Sequence, residues 1–296
     1  MLDIDEILDF DEDVAGRVRD SVMVIGLSGW FDAASVATRA LTWMSKDTPS
    51  AVVASIDPDP FFDFTQQRPE AYLDEDGDRQ IRWPTNDFEV LRYSDSMRDV
   101  VVLNGVEPHA HWASFIGCIT SVYERLGSSL VVTVGANADA VPHTRMPRVV
   151  GSSTNEDLCR RLGLNKPQYQ GITGVAGVLQ TELDRVSIPP ISLRVGVPHY
   201  LGGAQHPRSV VALLQHLQHV LGVKTGHEKL SGEITRWQEL HNAAVDEDDQ
   251  AKRYLRMLEI DFDRRIEAEI PTGDDLAAEL EEFLRGQTPP DEDDAN

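Results

Sequence analysis

The chain has 296 residues and carries 50 acidic against 27 basic side chains, a formal net charge of −23. Because binding to nucleic acid or anionic lipid depends on lysine and arginine, neither partner is expected. No apolar run reaches the roughly 18 residues that span a bilayer. The acidic start MLDIDEILDFDEDVAG lacks the basic segment of a secretory signal, so a soluble, cytoplasmic protein is predicted.

Short β-rich segments alternate with helical patterns over the first 221 residues, which is typical of an α/β fold with a mostly parallel sheet. The predicted strands are 22–27, 51–56, 100–104, 130–134 and 191–197. The predicted helices are 33–44, 111–126, 157–162, 175–186 and 208–221. Ser153 and Glu156 have the spacing of a capping box, and Gly163 fits the left-handed end of a helix.

Residues 58–93 interrupt this alternation and are interpreted as an insertion. The segment contains an acidic turn, 74–78, and short β-like pieces at 81–83 and 88–93. Turn residues between β-like pieces indicate a hairpin, which is expected beside the main sheet.

The composition changes after Leu221. GVKTG is typical of a linker, and apolar stripes at helical spacing along 230–244 and 255–266 predict a helical hairpin. A third helix is predicted from Thr272, and the acidic tail 287–296 is predicted to be disordered. The predicted organisation is an α/β domain over 1–221, a C-terminal helical subdomain over 222–286, and the tail.

Ligands of α/β folds usually bind at the carboxyl ends of parallel strands, so the loops after the predicted strands are candidate sites. After the first strand, Gly29 permits close backbone approach, and Trp30 and Asp32 offer an aromatic ring and a carboxylate. The alternative is a capped turn with Trp30 over the sheet edge. After the third strand, His109 and His111 form a His-x-His pair without further ligands, so no metal site is predicted.

Further polar residues follow the fourth and last strands. His143 can exchange a proton near neutral pH, and Arg145 can bind a carboxylate or phosphate; alternatively both fix a long loop. Five of the nine histidines, at positions 109, 111, 143, 199 and 206, fall on loops predicted to share one rim. The candidate ligand or interaction rim consists of Gly29, Trp30, Asp32, His143, Thr144, Arg145, His199 and Tyr200.

Two catalytic or phosphate-binding patterns are missing. Glycines in 169–177 lead into a helix, but they match neither GxGxxG nor a Walker motif, which favours close helix packing. There is no GxSxG, and neither cysteine lies in a strand-end loop beside a histidine. A serine or cysteine hydrolase is therefore disfavoured, and whether the protein is an enzyme stays open.

Several segments in order along the chain resemble the PAC2 (proteasome assembly chaperone 2-like) family. They are GLSGWFDAA from Gly26, QQRP around Arg68, ANADAVPHTRMP from Ala136, YQGITGV from Tyr169 and VPHYLGGAQHPRSVVALL from Val197. IPTGDDLAAELEEFLR from Ile270 is similar to the extension of the actinobacterial branch. The resemblance implies a Rossmann-like, phosphorylase/hydrolase-type sandwich that often forms homo-oligomers.

The resemblance also bears on function. Eukaryotic and archaeal relatives chaperone proteasome assembly, whereas bacterial members mostly lack an assigned function. A label of ATP-grasp or carboxylate-amine ligase is attached to some members, but the sequence lacks a recognisable set of phosphate-binding and metal-binding residues, and no cofactor is predicted. The chain ends Asp-Asp-Ala-Asn, without the hydrophobic-Tyr-x tail by which some relatives dock on the proteasome, so docking by that route is not expected.

Two functions are therefore compared. The first is a protein-interaction, assembly-chaperone-like homo-oligomer with a proteasome-related partner. The alternative is a small-molecule enzyme or binder that recognises an anionic or nucleoside-like ligand at the rim.

Overall fold

The computed structural model describes residues 2–201 and 203–269. Its strands are β1 (Leu8–Phe10), β2 (Val22–Ser28), β3 (Ser50–Ile56), β4 (Glu70–Leu73), β5 (Arg79–Arg82), β6 (Asn86–Arg92), β7 (Asp99–Val106), β8 (Val131–Asp139), β9 (Val149–Ser152) and β10 (Pro190–Pro198). Its helices are α1 (Ile4–Ile7), α2 (Glu12–Ala15), α3 (Val36–Lys46), α4 (Trp112–Leu126), α5 (Glu156–Leu162), α6 (Val175–Arg185), α7 (Pro207–Leu221), α8 (Ser231–Asp246) and α9 (Asp249–Glu269). Within the described residues, the predicted strands and helices lie inside these elements or overlap them closely.

One large mixed sheet organises the described residues, in the strand order β1-β3-β6-β7-β2-β8-β10-β9. The central strands β7, β2, β8 and β10 are parallel, and helices such as α4 supply the crossovers that parallel strands need. The flanking strands pair antiparallel with their neighbours. The predicted α/β class is confirmed.

Hydrophobic side chains pack on both faces of this sheet. On one face, Val24, Val132 and Leu193 meet α3 and α7. On the other face, neighbouring residues such as Met23 and Val131 meet α4 and α6. The central strands are apolar in near-continuous runs because helices cover them on both sides.

The predicted insertion is divided between two structures. β4 and β5 form a separate two-stranded hairpin, whose acidic turn is closed by Asp74 accepting the Asp78 N–H at 2.8 Å. β6 instead enters the main sheet between β3 and β7. The interpretation of 58–93 as one hairpin beside the sheet is therefore wrong for its second half, because β6 pairs with β3 and β7 of the main sheet.

One predicted helix cap is confirmed and the other is wrong. Gly163 ends α5 in the left-handed conformation, with φ 64°. At the start of α5 the N-cap is Asn155, whose Oδ1 accepts the Leu158 N–H at 3.1 Å. Ser153 instead donates its hydroxyl to the Pro190 carbonyl at 2.7 Å, which ties the loop to β10.

The described residues divide into two compact units, and the boundary between Asn242 and Ala243 falls inside α8. Leu230 and Ile234, on the predicted stripe, pack into the hydrophobic core that contains α3 and α7. The start of this apolar stripe therefore contacts the α/β layers. The sequence predicts only that the stripe packs within a helical hairpin. The predicted third helix and the acidic tail lie outside the described residues. Over those residues, no helix is long and apolar enough to cross a membrane.

Candidate functional site

The rim residues lie in loops after β2, β8 and β10, three parallel strands that end at the same edge of the sheet. The structure separates them into groups. Gly29 and Trp30 line an open depression. His143 and Tyr200 contact each other beneath α8. Asp32 lies at the start of α3.

Asp32 holds the first turn of α3. Its Oδ1 accepts the Ala37 N–H at 2.7 Å, and its Oδ2 accepts the Thr38 hydroxyl. Burial raises the pKa of this carboxyl, and these hydrogen bonds oppose the rise. The described side-chain hydrogen bonds of Asp32 go to α3, so the carboxylate caps this helix, as in the capped-turn alternative.

The buried His143 ring is bound at both nitrogens. The Tyr200 hydroxyl lies 2.8 Å from the His143 backbone nitrogen, from which it accepts, and 2.7 Å from Nδ1, to which it can donate. Nε2 lies 3.0 Å from Oδ1 of Asn242 on α8. Since an amide oxygen only accepts, Nε2 carries the proton in this arrangement.

Aromatic residues of α8 cover this histidine. Trp237 and His241 stack at 3.8 Å between ring centroids. The Trp237 ring also meets His206 edge-on at 4.8 Å and His143 at 5.9 Å. His143 and His206 are fully or almost fully buried. Because α8 occupies the space above them, this part of the rim is a packed contact.

His206 is a buried cap of α7. Its Nδ1 accepts the Ser209 N–H at 3.3 Å and meets the Ser209 hydroxyl at 2.6 Å. Burial lowers the pKa of His206 to about 3, with a smaller contribution from the nearby Arg208 guanidinium. No described atom forms a hydrogen bond with its Nε2. His206 is therefore neutral, and its role is structural.

The other predicted residues of this group also serve the loops. The Arg145 backbone N–H donates to the Pro142 carbonyl at 3.2 Å, and its guanidinium reaches the Thr144 hydroxyl at 3.4 Å. His199 Nδ1 lies 2.9 Å from the Asp139 carbonyl, and its ring is edge-on to Tyr200 at 5.7 Å. These contacts join the loops after β8 and β10.

An open depression of about 610 Å³ lies beside Trp30. We call it the Trp30 depression; Gly29, Trp30, Gln66, Gln67, Glu107, His109, Trp112 and Ile172 are among its lining residues. Trp30 is 61% exposed and Ile172 is 78% exposed. It brings together four chain segments, three of which belong to segments that resemble the PAC2 family, and two of its rim side chains are large, apolar and exposed.

Glu107 joins three of these segments, although no sequence motif marks it as a functional residue. Its Oε2 accepts the Trp30 N–H at 2.9 Å, and its Oε1 accepts the Val175 N–H at 3.0 Å. A β-carbon added to Gly29 would lie 2.5 Å from Oε2, and one added to Gly174 would lie 2.7 Å from Oε1. The glycines are thus needed for close approach. Glu107 binds the first amide of α6. This favours the prediction that the glycines before α6 allow close helix packing, and it disfavours the alternative that this helix end binds phosphate.

The two histidines of the His-x-His pair have different local roles. His109 Nδ1 accepts the Asp63 N–H at 2.9 Å, which fixes the loop before the β4–β5 hairpin. His111 occupies the N-cap position of α4 with a left-handed φ of 55°. In the described residues, no cluster of three or more potential metal-ligating side chains is found.

The protein is a mixed α/β sandwich. One of its C-terminal helices, α8, partly covers the rim at the strand ends. A family model described as the PAC2 family matches residues 26–245. The chain therefore belongs to the PAC2 family.

Solved structures agree with this assignment. A PAC2 family protein from Streptomyces avermitilis is 33% identical with a TM-score of 0.74, covering 79% of this chain and 99% of its own. A Mycobacterium tuberculosis proteasome-assembly chaperone homologue is 29% identical with a TM-score of 0.72, over the same shares. The archaeal proteasome activator PbaB of Pyrococcus furiosus shares the fold at 17% identity and a TM-score of 0.61, covering 80% of this chain and 97% of its own. No curated protein matches the chain.

Proposed function

We propose that the protein acts through protein contacts, as an assembly-chaperone-like homo-oligomer with a proteasome-related partner, and that the Trp30 depression is its contact surface. The observation that carries this proposal is the pair of exposed side chains, Trp30 and Ile172, on one rim. Large exposed apolar side chains around a depression are typical of protein-interaction sites.

The backbone beneath this surface is held in place, which favours a preformed interface. Glu107 fixes the Trp30 and Val175 amides, and the Trp112 indole donates to the Pro108 carbonyl at 2.7 Å. A rigid surface loses less conformational entropy on binding than a mobile one. The relative from Mycobacterium tuberculosis, described as a proteasome-assembly chaperone homologue, supports the kind of partner.

The alternative, a small-molecule enzyme or binder at the strand-end rim, is supported less well. His143 and Tyr200 bind each other and lie under α8, so this part of the rim offers little room for a substrate. The Trp30 depression has the volume of a ligand site, about 610 Å³. Its side chains include no nucleophile positioned beside a general base.

Matched substitutions at two exposed aliphatic residues test the proposal. Ile172→Asp places a carboxylate at the depression, and Leu73→Asp makes the same change on the β4–β5 hairpin, where Leu73 is 68% exposed. The wild-type chain is expected to form an oligomer by light scattering and to recover a stoichiometric partner from native lysate. Ile172→Asp is expected to lose one or both contacts, and Leu73→Asp to keep them.

These measurements test the proposed function and the proposed contact surface separately. A wild-type chain that is monomeric and recovers no stoichiometric partner contradicts the proposed function. An Ile172→Asp variant that keeps both the oligomer and the partner contradicts the assignment of the surface alone.

A further inference from the structure

A second groove, of about 640 Å³, lies between α6, the edge strand β9 and the segment 165–173. Its lining is mostly hydroxyl and amide side chains, among them Ser152, Thr154, Asn165, Gln180 and Thr181. Arg194 of β10 also lines it. We call it the Arg194 groove. It is a neighbour of the Trp30 depression, since Thr173 lines both.

Arg194 is an unusual residue for its position. Its neighbours in β10, Leu193 and Val195, point into the core between the sheet and α3 and α7. Since side chains alternate along a strand, Arg194 lies on the opposite face, where it is half-buried. Its guanidinium carbon lies 5.1 Å from the centre of the Phe31 ring, within the range of a cation–π contact.

No hydrogen bond or ion pair joins Arg194 to any residue that the structure describes. This contrasts with arginines such as Arg19, Arg98 and Arg125, each paired with a carboxylate. Asp184 lines the same groove, yet its carboxylate is not within ion-pair distance of the guanidinium. Burial lowers the pKa of Arg194 from its ordinary value, and the charge interaction with Tyr169 opposes this change.

We propose that the Arg194 groove binds a small organic anion, a hydroxylated molecule whose phosphate or carboxylate group pairs with the Arg194 guanidinium. A planar guanidinium presents its nitrogen atoms in a rigid fork that can form two parallel hydrogen bonds to such a group. The groove volume is within the usual range for small-molecule sites.

The other residues that line the groove indicate the chemistry of the rest of the ligand. Side-chain hydroxyls and amides both donate and accept hydrogen bonds, which suits sugar-like hydroxyl groups. Lys166 already pairs with Glu156 at 2.7 Å, so Arg194 is left as the main anion-binding charge. A polyanion such as nucleic acid is excluded because the chain as a whole carries a charge of −23.

Calorimetric titration of the full chain with three probes tests this site. The probes are inorganic phosphate, ribose 5-phosphate and glucuronate, and neutral ribose is the control for the charged group. Saturable binding of ribose 5-phosphate assigns the anion as a phosphate, and saturable binding of glucuronate assigns it as a carboxylate. Saturable binding of none of the three probes by the wild-type chain overturns the proposal.

Substitutions then locate the binding. Arg194→Gln is expected to weaken the binding at least tenfold, because one charge-assisted bidentate pair is lost. Arg125→Gln is the matched control: the Arg125 guanidinium also lies over an aromatic ring, that of Phe10, at 3.6 Å, but it is paired with Glu12. Unchanged affinity in Arg194→Gln, or an equal loss in Arg125→Gln, contradicts the site.

A second variant covers the case in which Arg194→Gln does not fold. Thr181 is exposed on α6 and lines the groove, so Thr181→Tyr fills the space and leaves Arg194 in place. It is expected to lose binding with an unchanged circular dichroism spectrum. Full affinity in a folded Thr181→Tyr variant overturns the proposal.

Discussion

The carboxylate of Glu107 caps α6 from a different loop: its Oε1 accepts the Val175 N–H at 3.0 Å, across 68 residues of chain. α6 has Gly174 at its N-cap position and no capping side chain of its own. A carboxylate at this end is also favoured by the helix dipole. Through its second oxygen, which binds the Trp30 amide, Glu107 couples α6 to the loop after β2.

Replacing Glu107 is expected to destabilise the fold. Glu107→Ala leaves the Trp30 and Val175 amides without their acceptors, which costs about 2–4 kcal/mol of unfolding free energy. Glu107→Gln keeps one carbonyl oxygen and is expected to lose about half of that. Urea denaturation measures both values. Glu124→Ala, at an exposed position of α4, should change the stability little, and a similar loss there would contradict this role of Glu107.

Gly174 is expected to be intolerant of even a methyl group. In Gly174→Ala the new β-carbon would lie 2.7 Å from Glu107 Oε1 and 3.3 Å from the Phe31 ring, so the capping contact must shift. A loss of about 1–3 kcal/mol is expected. The control is Gly232→Ala in α8, where the nearest atom is 3.9 Å away and alanine favours the helix. Equal effects at the two glycines would count against the close approach.

The stability of the protein is expected to fall in mild acid because of His206. Its pKa is about 3 in the folded state and about 6.5 when exposed, so the unfolded chain binds a proton that the folded chain excludes. The stabilisation is fully present above about pH 6.5 and is lost as the pH falls towards 3. Between pH 6.5 and 4.5 the loss is about 2–3 kcal/mol.

His206→Asn isolates this effect, because asparagine can still cap α7 but does not titrate. The difference in unfolding free energy between pH 6.5 and 4.5 should be smaller in His206→Asn than in the wild type. His219→Asn, an exposed position on the same helix, should behave as the wild type. A wild-type acid response retained by His206→Asn would rule out His206 as its source.

Trp237 is expected to shield the buried histidines. Its ring lies 4.8 Å from His206 and 5.9 Å from His143, so Trp237→Ala opens a path for water and reagents. Carbethoxylation followed by mass spectrometry should leave His143 and His206 unmodified in the wild type and modify them in the variant. Leu240→Ala, at an exposed position of α8, should keep the wild-type pattern. Rapid modification in the wild type would show that α8 does not cover the rim.

The α/β fold was predictable because its determinants are local. The apolar runs at β2, β7 and β8 mark strands buried on both faces, and the 3.6-residue stripes of α4 and α7 mark helices that bury one face. The family motifs added the order of these elements. The position of β6 was predicted wrongly because strand pairing decides it: β6 lies between β3 and β7 in the main sheet, and a local β pattern does not specify its partners.

By itself, the sequence determined the α/β class, the PAC2 family and the loops at the strand ends, since periodicity and motif order are properties of neighbouring residues. The tertiary structure decided which of those loops is open. It placed Trp237 over His143, brought Glu107 to the first amide of α6 and left Arg194 beside Phe31 without a carboxylate partner in the described residues. Each of these contacts joins residues at least 68 positions apart, so their energies depend on how the whole chain packs.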